Sequence, residues 1–316
     1  MNSYLKFFYC LAITVCWYNR SYSQGCSDAG GCSLGGLKAA DDLQHKSSVM
    51  LNMSYGVGEQ KVQIYTSQLE FTTKLGKRFG LQLKLPYVFT HGNLGSINGF
   101  GDPLLAGTYK FYDKRNWMLS VNLGIKKNVN HSDKYPLTSL AYVPTVSLPM
   151  PYQTSLGTTD VLVGIDARHK DKWILAAGLQ WPVINQNRNS FDTARIQYGD
   201  IAAQKQYFTS AQLMRRPDAI LRIDRRIKLN KTFALYAGVL PIYHLGHDRF
   251  TDQYGVSHAI HGSKGLTLNV TSALVCNIAK NYQVTLRYAT PAIVRKVRPD
   301  GLTRHYVIGL ELKYYY

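Results

Sequence analysis

The sequence has no apolar run long enough to cross a membrane as a helix. Its best candidate, residues 5–17, falls short of the roughly 20 apolar residues that such a helix needs. This stretch precedes Ser21-Tyr22-Ser23, a small-residue site typical of the end of a secretory signal peptide. We therefore expect residues 1–23 to be removed on export, with Gln24 beginning the mature chain.

Acidic residues are also scarce. The chain has 19 Asp and Glu against 37 Lys and Arg, a formal net charge of +18. The basic residues are scattered rather than gathered into a stripe, and an exported protein rarely meets nucleic acid, so we expect no nucleic-acid partner. Phosphorylated lipid head groups or a pore for anions would suit this charge, and an ordinary solvated surface is the other explanation.

Cysteine is sparse, with five residues, two of them in the predicted leader. Cys26 and Cys32 remain as a close pair in a Gly-rich segment, and in an oxidising compartment they predict a small disulfide-closed loop. Two alternatives stay open: metal binding with His45, and lipidation of Cys26. Ser23 stands where a lipidation signal prefers a larger apolar residue. Cys276 falls on an apolar face and is predicted to be a buried small hydrophobe.

Motifs for catalysis or cofactor binding are missing from the sequence. It contains no nucleophile elbow, HExxH metal motif, phosphate loop or dinucleotide fingerprint. The densest group of potential catalytic residues is His258 and His261, with Ser257 and Ser263 beside them. We therefore expect no enzymatic activity, no cofactor and no metal, and keep an outer-membrane lipid-modifying enzyme as a third alternative.

What the chain does have is alternation of apolar and polar residues with a period of two, which is typical of strands with two different faces. Twelve segments show it, and their length suits a tilted transmembrane strand. They cover residues 51–55, 68–75, 79–85, 105–111, 117–126, 160–168, 173–181, 221–227, 233–239, 266–274, 282–288 and 306–316. The pattern predicts an all-β fold over residues 46–316: a transmembrane, antiparallel, up-and-down β-barrel of about 12 strands, with a range of about 10 to 14.

The connections alternate between short and long after the first hairpin. Short ones fall at residues 74–78, 113–116, 170–172, 229–231 and 279–281, and long ones at 91–99, 128–158, 184–217, 245–263 and 292–303. Periplasmic turns and extracellular loops alternate in this way in bacterial outer-membrane barrels. The pattern predicts the bacterial outer membrane as location, with both termini periplasmic and residues 24–45 as a periplasmic N-terminal segment.

Proline and the last strand fit the same interpretation. Pro86, Pro182, Pro241 and Pro291 are predicted to end four strands at the extracellular rim, because proline cannot donate to a ladder. The final strand ends on Tyr316, and a terminal aromatic residue marks the last strand in barrels that this chain resembles. The barrel-assembly machinery and outer-membrane lipid, including lipopolysaccharide, are therefore expected partners.

One segment resembles a known family. Leu85-Pro86-Tyr87, a loop, and then Gly99-Phe100-Gly101-Asp102 leading into an alternating strand resemble the signature of the phenol-degradation meta-pathway transporter family, which is similar to long-chain fatty acid channels. Phe100 replaces the usual Leu. The resemblance implies an uptake channel for small, apolar molecules, and it carries over no ligand residue. Read physically, the two glycines let the chain bend, and Asp102 can accept hydrogen bonds from turn amides.

Charged residues on the polar face are expected to line the barrel interior, because they are costly on the lipid face. The candidates are Lys84, Lys126, Asp166, Arg168, Arg222, Asp224, Arg226, Arg287, Glu311 and Lys313. Two interpretations stay open: an anion-preferring pore for passive uptake of a small solute, and a salt-bridge network that supports the wall. The second would suit a non-conducting barrel that binds a partner through its N-terminal cysteine loop and extracellular loops.

Overall fold

The computed structural model describes residues 23–24, 47–114, 116–136, 146–197 and 199–316. Residues 1–22 of the predicted leader and residues 25–45, with Cys26, Cys32 and His45, lie outside the described residues. Within the described ranges, no helix has the length and apolar character to span a membrane.

The described chain is built mainly from strands. They are β1 Ser23–Gln24, β2 Ser48–Gly58, β3 Gln63–Leu75, β4 Phe79–Gly92, β5 Gly95–Phe100, β6 Leu104–Lys114, β7 Trp117–Lys126, β8 Thr158–His169, β9 Trp173–Asn185, β10 Asp218–Lys228, β11 Phe233–His244, β12 Arg249–Thr251, β13 Ser257–Ala259, β14 Gly265–Ala279, β15 Tyr282–Ile293 and β16 Thr303–Tyr315. The helical elements are two 3-10 helices, Glu59–Lys61 and Met150–Tyr152, and one short helix α1, Ile201–Gln204.

Twelve of these strands form one closed antiparallel barrel. Each pairs with its neighbours in chain order, with β1, β5, β12 and β13 outside the circuit, and β16 returns to β2 with Leu310 opposite Met53. The pair β12 and β13 forms a separate two-stranded sheet, and β1 pairs with Thr303 and Arg304 of β16. The predicted twelve-stranded barrel is confirmed, and each predicted segment lies on one of these strands.

The two faces of the barrel wall differ as predicted. Outward side chains are apolar and exposed along their strands, as at Leu123, Val163 and Leu286, whereas inward neighbours such as Asn122 and Thr285 are buried and polar. A barrel with this distribution presents apolar side chains to the lipid and directs its polar side chains to the interior. Cys276 lies on the outer face and is partly exposed, so it is less buried than the alternation predicted.

The four prolines do not end their strands, and this prediction was wrong in detail. All lie two to six residues inside a strand, where the ladder is irregular. Pro86 lies where β4 changes partner from β6 to β5; Pro182 and Pro291 each lie at a register shift, and Pro241 lies where the pairing of β11 with β10 is interrupted. Proline is tolerated at such positions because its missing N–H removes no regular ladder bond.

The long connections fold over one end of the barrel and pack into its mouth. We call their described parts the plug: residues 127–136, 146–157, 186–197, 199–217, 245–264 and 294–302. A buried apolar cluster joins the plug to the wall, and it contains Val62, Ile64, Val88, Leu94, Ile97, Leu148, Tyr152, Phe191, Ala203 and Tyr207. The Tyr152 hydroxyl, wholly buried, donates to Asn93 (3.0 Å) and accepts from the Leu94 amide (3.1 Å). The polar groups brought into this cluster are thus satisfied.

Candidate functional site

The ten predicted interior residues all lie on the inner face of the wall. Eight are buried, and Arg226 and Arg287 are half-buried. Seven of the ten are Lys or Arg and three are Asp or Glu, so this set has a surplus of positive charge. The strands place them there because their positions alternate with lipid-facing residues, as on any pleated strand.

Ion pairs join several of these residues across and along the strands. Arg222 binds Asp224 at 2.6 Å, and Arg287 binds Glu311 at 2.8 Å. Lys84 lies 3.6 Å from Glu70, its cross-strand partner. Buried charges need such partners, because leaving one uncompensated costs about 3–5 kcal/mol.

Other members of the set have neutral partners. Asp166 on β8 accepts hydrogen bonds from Ser120 (2.9 Å) and Asn122 (2.7 Å) of the preceding strand, β7. Arg226 lies over the ring of Tyr236 at 5.9 Å, and Lys313 over Tyr315 at 5.0 Å. Arg225, on the lipid side of the same strand as Arg226, lies 5.2 Å from the ring of Trp173 near a short turn.

The motif that resembles the transporter family forms the junction between the wall and the plug. Gly99 has a φ of +150°, and the Gly101 amide donates to Pro86 at 2.9 Å, so the chain turns inward there. Asp102 then accepts from the amides of Val129 (3.3 Å) and Leu156 (3.4 Å). The contacts thus agree with the expected structural role of the motif, in which the glycines let the chain bend and Asp102 accepts hydrogen bonds from loop amides.

Asp102 also takes part in a buried charge cluster with Lys126. The Lys126 ammonium lies 2.9 Å from Asp160 and 3.5 Å from Asp102. Burial raises the pKa of Asp102, and the attraction of Lys126 opposes that rise. The motif thus fixes an acidic group against a cation at the boundary between strand and plug.

Six other buried residues form a closed circuit of alternating charges, which we call the charge ring. Its members in order are Arg215, Asp218, His244, Asp248, Arg295 and Asp300, and His244 counts as a cation when protonated. Asp218 lies 2.8 Å from Arg215 and 2.6 Å from His244. Asp248 lies 2.8 Å from His244 and 3.6 Å from Arg295. Asp300 forms an ion pair with Arg295 and lies 3.2 Å from Arg215, which closes the ring.

The charge ring fastens three loops to the ends of two strands. Asp218 begins β10 and His244 ends β11, while the other four members come from the loops after β9, β11 and β15. Burial alone would raise the pKa of Asp300, but Arg295 and Arg215 hold that pKa well below its usual range. Burial likewise disfavours the charged form of Arg215, yet Asp218 and the other ring carboxylates raise its pKa above its usual range.

Sequence reasoning missed the charge ring. Asp218 and His244 continue the inward alternation of their strands, which is a signal that could have found them. The other members stand in loops without periodicity, so only the folded plug brings them together.

A small cavity remains between the plug and the wall. Its volume is about 60 Å³, and its lining includes Lys84, Asp102, Lys126, Asp300 and Arg304. It therefore lies between the motif, the charge ring and two residues of the predicted interior set, Lys84 and Lys126.

The His and Ser residues singled out in the sequence lie in the loop between β11 and β14. His258 binds Asp252 at 2.7 Å and stacks on Phe250, and its neighbour Ser257 accepts from Arg249 at 2.9 Å. His261 packs edge-on against His247, and Ser263 donates to Ile260 O at 2.6 Å. These contacts give each side chain a partner within the loop.

Comparison with solved structures identifies the fold. An outer membrane channel from Pseudomonas putida F1 matches with a TM-score of 0.58 at 13% identity, over 88% of this chain and 98% of that chain. The NanC porin matches at 0.47 and 8% identity, over 85% and 98% of the two chains. KdgM porin in complex with disordered oligogalacturonate matches at 0.44 and 8%, over 85% and 99%.

No sequence profile of a known family and no curated protein sequence matches the chain. At 13% identity the likeness to the Pseudomonas channel shows the fold alone: this chain is an outer-membrane-type β-barrel. The fold implied by the sequence resemblance to channel proteins is thereby confirmed.

Proposed function

We propose that the protein is a channel in the bacterial outer membrane for passive passage of small solutes, with a preference for anions. The observation that carries the proposal is the positive surplus in the predicted inward set, seven cations to three anions, which remains a surplus when the buried wall carboxylates Glu70 and Asp160 are added. A cation-lined polar interior attracts anions and repels cations along its length. The solved barrels of the same fold include channels and porins, which supports the same function.

In this proposal the plug acts as the gate. Below it, polar and charged side chains follow the inner face from the cavity towards the short turns, whereas the plug closes the other end with apolar and ionic contacts. Passage requires the plug to move, and the charge ring is its main ionic fastening. The substrate would meet Lys84, Lys126 and Arg304 first, at the cavity beneath the plug.

Planar-bilayer recording of the refolded barrel tests the proposal. We expect ohmic current steps, and under a KCl gradient a reversal potential that indicates anion preference. Replacing Arg222 and Arg226 by Gln should reduce that preference, whereas the outward Arg225→Gln is the matched control and should leave it unchanged. Silence of the chain with and without residues 24–45, and also after the plug is loosened by Asp300→Asn, would contradict the channel.

A second candidate is a non-conducting barrel that binds a partner through its loops and N-terminal segment. The buried ion pairs favour it, since Arg222 with Asp224 and the charge ring cross-link wall and plug as a structural network would. The bilayer experiment separates the two functions. If the barrel conducts no current even after the plug is loosened by Asp300→Asn, the ion-pair network has a structural role only.

We infer no enzymatic role. The positions of Ser257 and His258 support this inference: they are consecutive on β13, so their side chains point to opposite sides of that strand and not towards each other as a nucleophile and its base would. The expected result is no release of acyl chains from phospholipid by the refolded protein. Release that disappears in His258→Ala would instead favour the lipid-modifying enzyme.

A further inference from the structure

The outer surface near two short turns carries a groove and a cleft that adjoin each other. The groove, of about 570 Å³, lies on the lipid face. The outward apolar residues Leu75, Phe79, Leu81, Val121, Leu123 and Val163 line it, together with Gly80, Thr108 and Asn122 of the same strands. The cleft, of about 680 Å³, lies between the β3–β4 turn and the end of β6. Leu75 of the groove and Gly76 of the cleft are consecutive at the β3–β4 turn, so the groove meets the cleft there.

A missing side chain forms the floor of the groove. Gly107 faces outward on β6, and a Cβ added there would have only Leu81 Cδ2, at 3.9 Å, within reach. The rings of Phe79 and Tyr109, with centroids 4.7 Å apart, border the groove at the cleft end. The result is an elongated apolar depression that a hydrocarbon chain can fill.

The cleft is strongly cationic. Lys77, Arg78, Lys110 and Lys114 line it. Lys110 lies opposite the inward Ser120 and binds the single carboxylate, Asp113, at 2.6 Å, so Lys77, Arg78 and Lys114 give the cleft its outward positive charge. Lys77, Arg78 and Lys114 are exposed, so their charges face any head group at this level.

A bulge in β6 shapes the border of the cleft. The register of β6 against β7 shifts between Lys110 and Tyr112, which leaves Phe111 as the extra residue. Tyr112 then lies opposite the outward Leu119, and both aromatic side chains are exposed, 43% for Phe111 and 38% for Tyr112. Bulges re-aim side chains in this way at barrel rims, and aromatic residues favour the depth of lipid head groups.

We propose that this groove and cleft form a binding site for one anionic glycerophospholipid. Its phosphodiester would lie among Lys77, Arg78 and Lys114, and an acyl chain would run along Leu81, Gly107 and Leu123. The charge complementarity selects an anionic head group, while the groove selects a ligand that also carries a chain. The site is on the lipid face, so it does not depend on whether the interior conducts.

Native mass spectrometry of the refolded barrel in a nonionic detergent tests the site. Phosphatidylglycerol and phosphatidylcholine with the same acyl chains are the two probes, and glycerol phosphate is the probe without a chain. We expect retention of one phosphatidylglycerol, weaker retention of phosphatidylcholine and none of glycerol phosphate. Equal retention of the two lipids would overturn the charge selection, and binding of glycerol phosphate as strong as that of the lipid would overturn the groove.

Two kinds of variant locate the site. The triple variant Lys77→Gln, Arg78→Gln, Lys114→Gln should weaken phosphatidylglycerol binding by about tenfold to a hundredfold. The matched control Lys172→Gln, Lys231→Gln, Lys280→Gln removes the same charge from three other short turns and should leave it unchanged. An equal loss in both would overturn the proposal in favour of general attraction to a basic rim.

Gly107→Leu fills the groove without touching the charges and should lower phosphatidylglycerol retention by about tenfold. If that variant fails to refold, Gly107→Val makes the same test with a smaller side chain. Unchanged retention in a folded groove-filling variant would contradict the proposed path of the acyl chain.

Discussion

Asn189 uses its whole side-chain amide to join two loops of the plug. Its nitrogen donates to Ser132 O (2.8 Å) and Leu148 O (2.9 Å), and its oxygen accepts from the Phe191 amide (3.0 Å) and the Ser210 hydroxyl (2.9 Å). The residue is wholly buried. Removing the amide would leave several buried polar groups without partners, each at a cost of about 1–3 kcal/mol.

We therefore expect Asn189→Ala to loosen the plug while leaving the barrel strands intact. Limited proteolysis should cut residues 128–157 and 186–217 faster than in the parent chain, and the barrel core should stay resistant. Gln197→Ala, at an exposed position of the same loop, is the control and should behave like the parent. Unchanged cleavage in Asn189→Ala would show that other contacts hold the two loops.

At the scale of single residues, the alternation of the strands predicts which side chains face inward, but not all their partners. The pairing of Arg222 with Asp224 could be predicted, because both lie on one strand two residues apart. The partners of Asp166, Ser120 and Asn122, lie on a neighbouring strand and could not. Partners across strands depend on register, and no local pattern in the sequence specifies register here.

At the scale of elements, strand glycines differ according to the face they occupy. Gly238 lies opposite Asp224 in the β10–β11 ladder, and a Cβ there would meet Asp224 Oδ1 at 2.0 Å and Ile223 O at 2.3 Å. Its missing side chain makes room for the carboxylate that binds Arg222. Gly107, on the outer face, has open space instead.

Gly238→Ala should therefore destabilise the barrel by about 2 kcal/mol or more, because the new methyl group displaces Asp224 or the strand itself. Gly107→Ala is the matched control and should be neutral within about 0.5 kcal/mol. Urea unfolding followed by tryptophan fluorescence would compare them, since the described Trp side chains lie on the outer face. Equal midpoints for the two variants would contradict the role given to Gly238.

Strand positions were predictable from the sequence because one face had to be apolar and the other polar. Strand ends were less predictable: β4 continues to Gly92 and β9 to Asn185, well past Pro86 and Pro182. Irregular ladders absorb these prolines, and irregularity depends on neighbouring strands that are distant in the chain. The plug was not predictable as a structure, because its contacts join loops that have no periodic pattern.

At the scale of the whole molecule, the charge ring makes the closure of the mouth sensitive to acid. The pKa of Asp300 is lowered in the folded protein, so its stabilising contribution is complete above its unfolded value of about 4 and is lost as the pH falls below it. Burial raises the pKa of Asp102, so protonation of Asp102 at low pH favours the folded state and opposes the loss at Asp300. The ring should dominate, because two arginines, Arg295 and Arg215, hold Asp300 in its charged form.

We expect hydrogen exchange in residues 199–217 and 294–302, corrected for the intrinsic rate, to accelerate below about pH 4 before the barrel strands respond. Asp300→Asn should accelerate exchange in the same segments already at neutral pH, since breaking a buried pair costs about 3–5 kcal/mol. Asp171→Asn, in an exposed short turn, is the control. Simultaneous loss of protection in plug and strands would show that the mouth is not an independent unit.

The charge ring also has a consequence for the order of folding. Four of its members come from the connections that follow β9, β11 and β15, and Asp218 and His244 lie at the ends of two strands. The last member along the chain, Asp300, precedes only the final strand. Arg215 and Asp218 are only three residues apart and can pair early, whereas the contact of Arg215 with Asp300 joins residues distant in sequence and forms late. We expect the mouth to stay hydrated until the barrel is almost complete, so that sealing it is among the final steps of maturation.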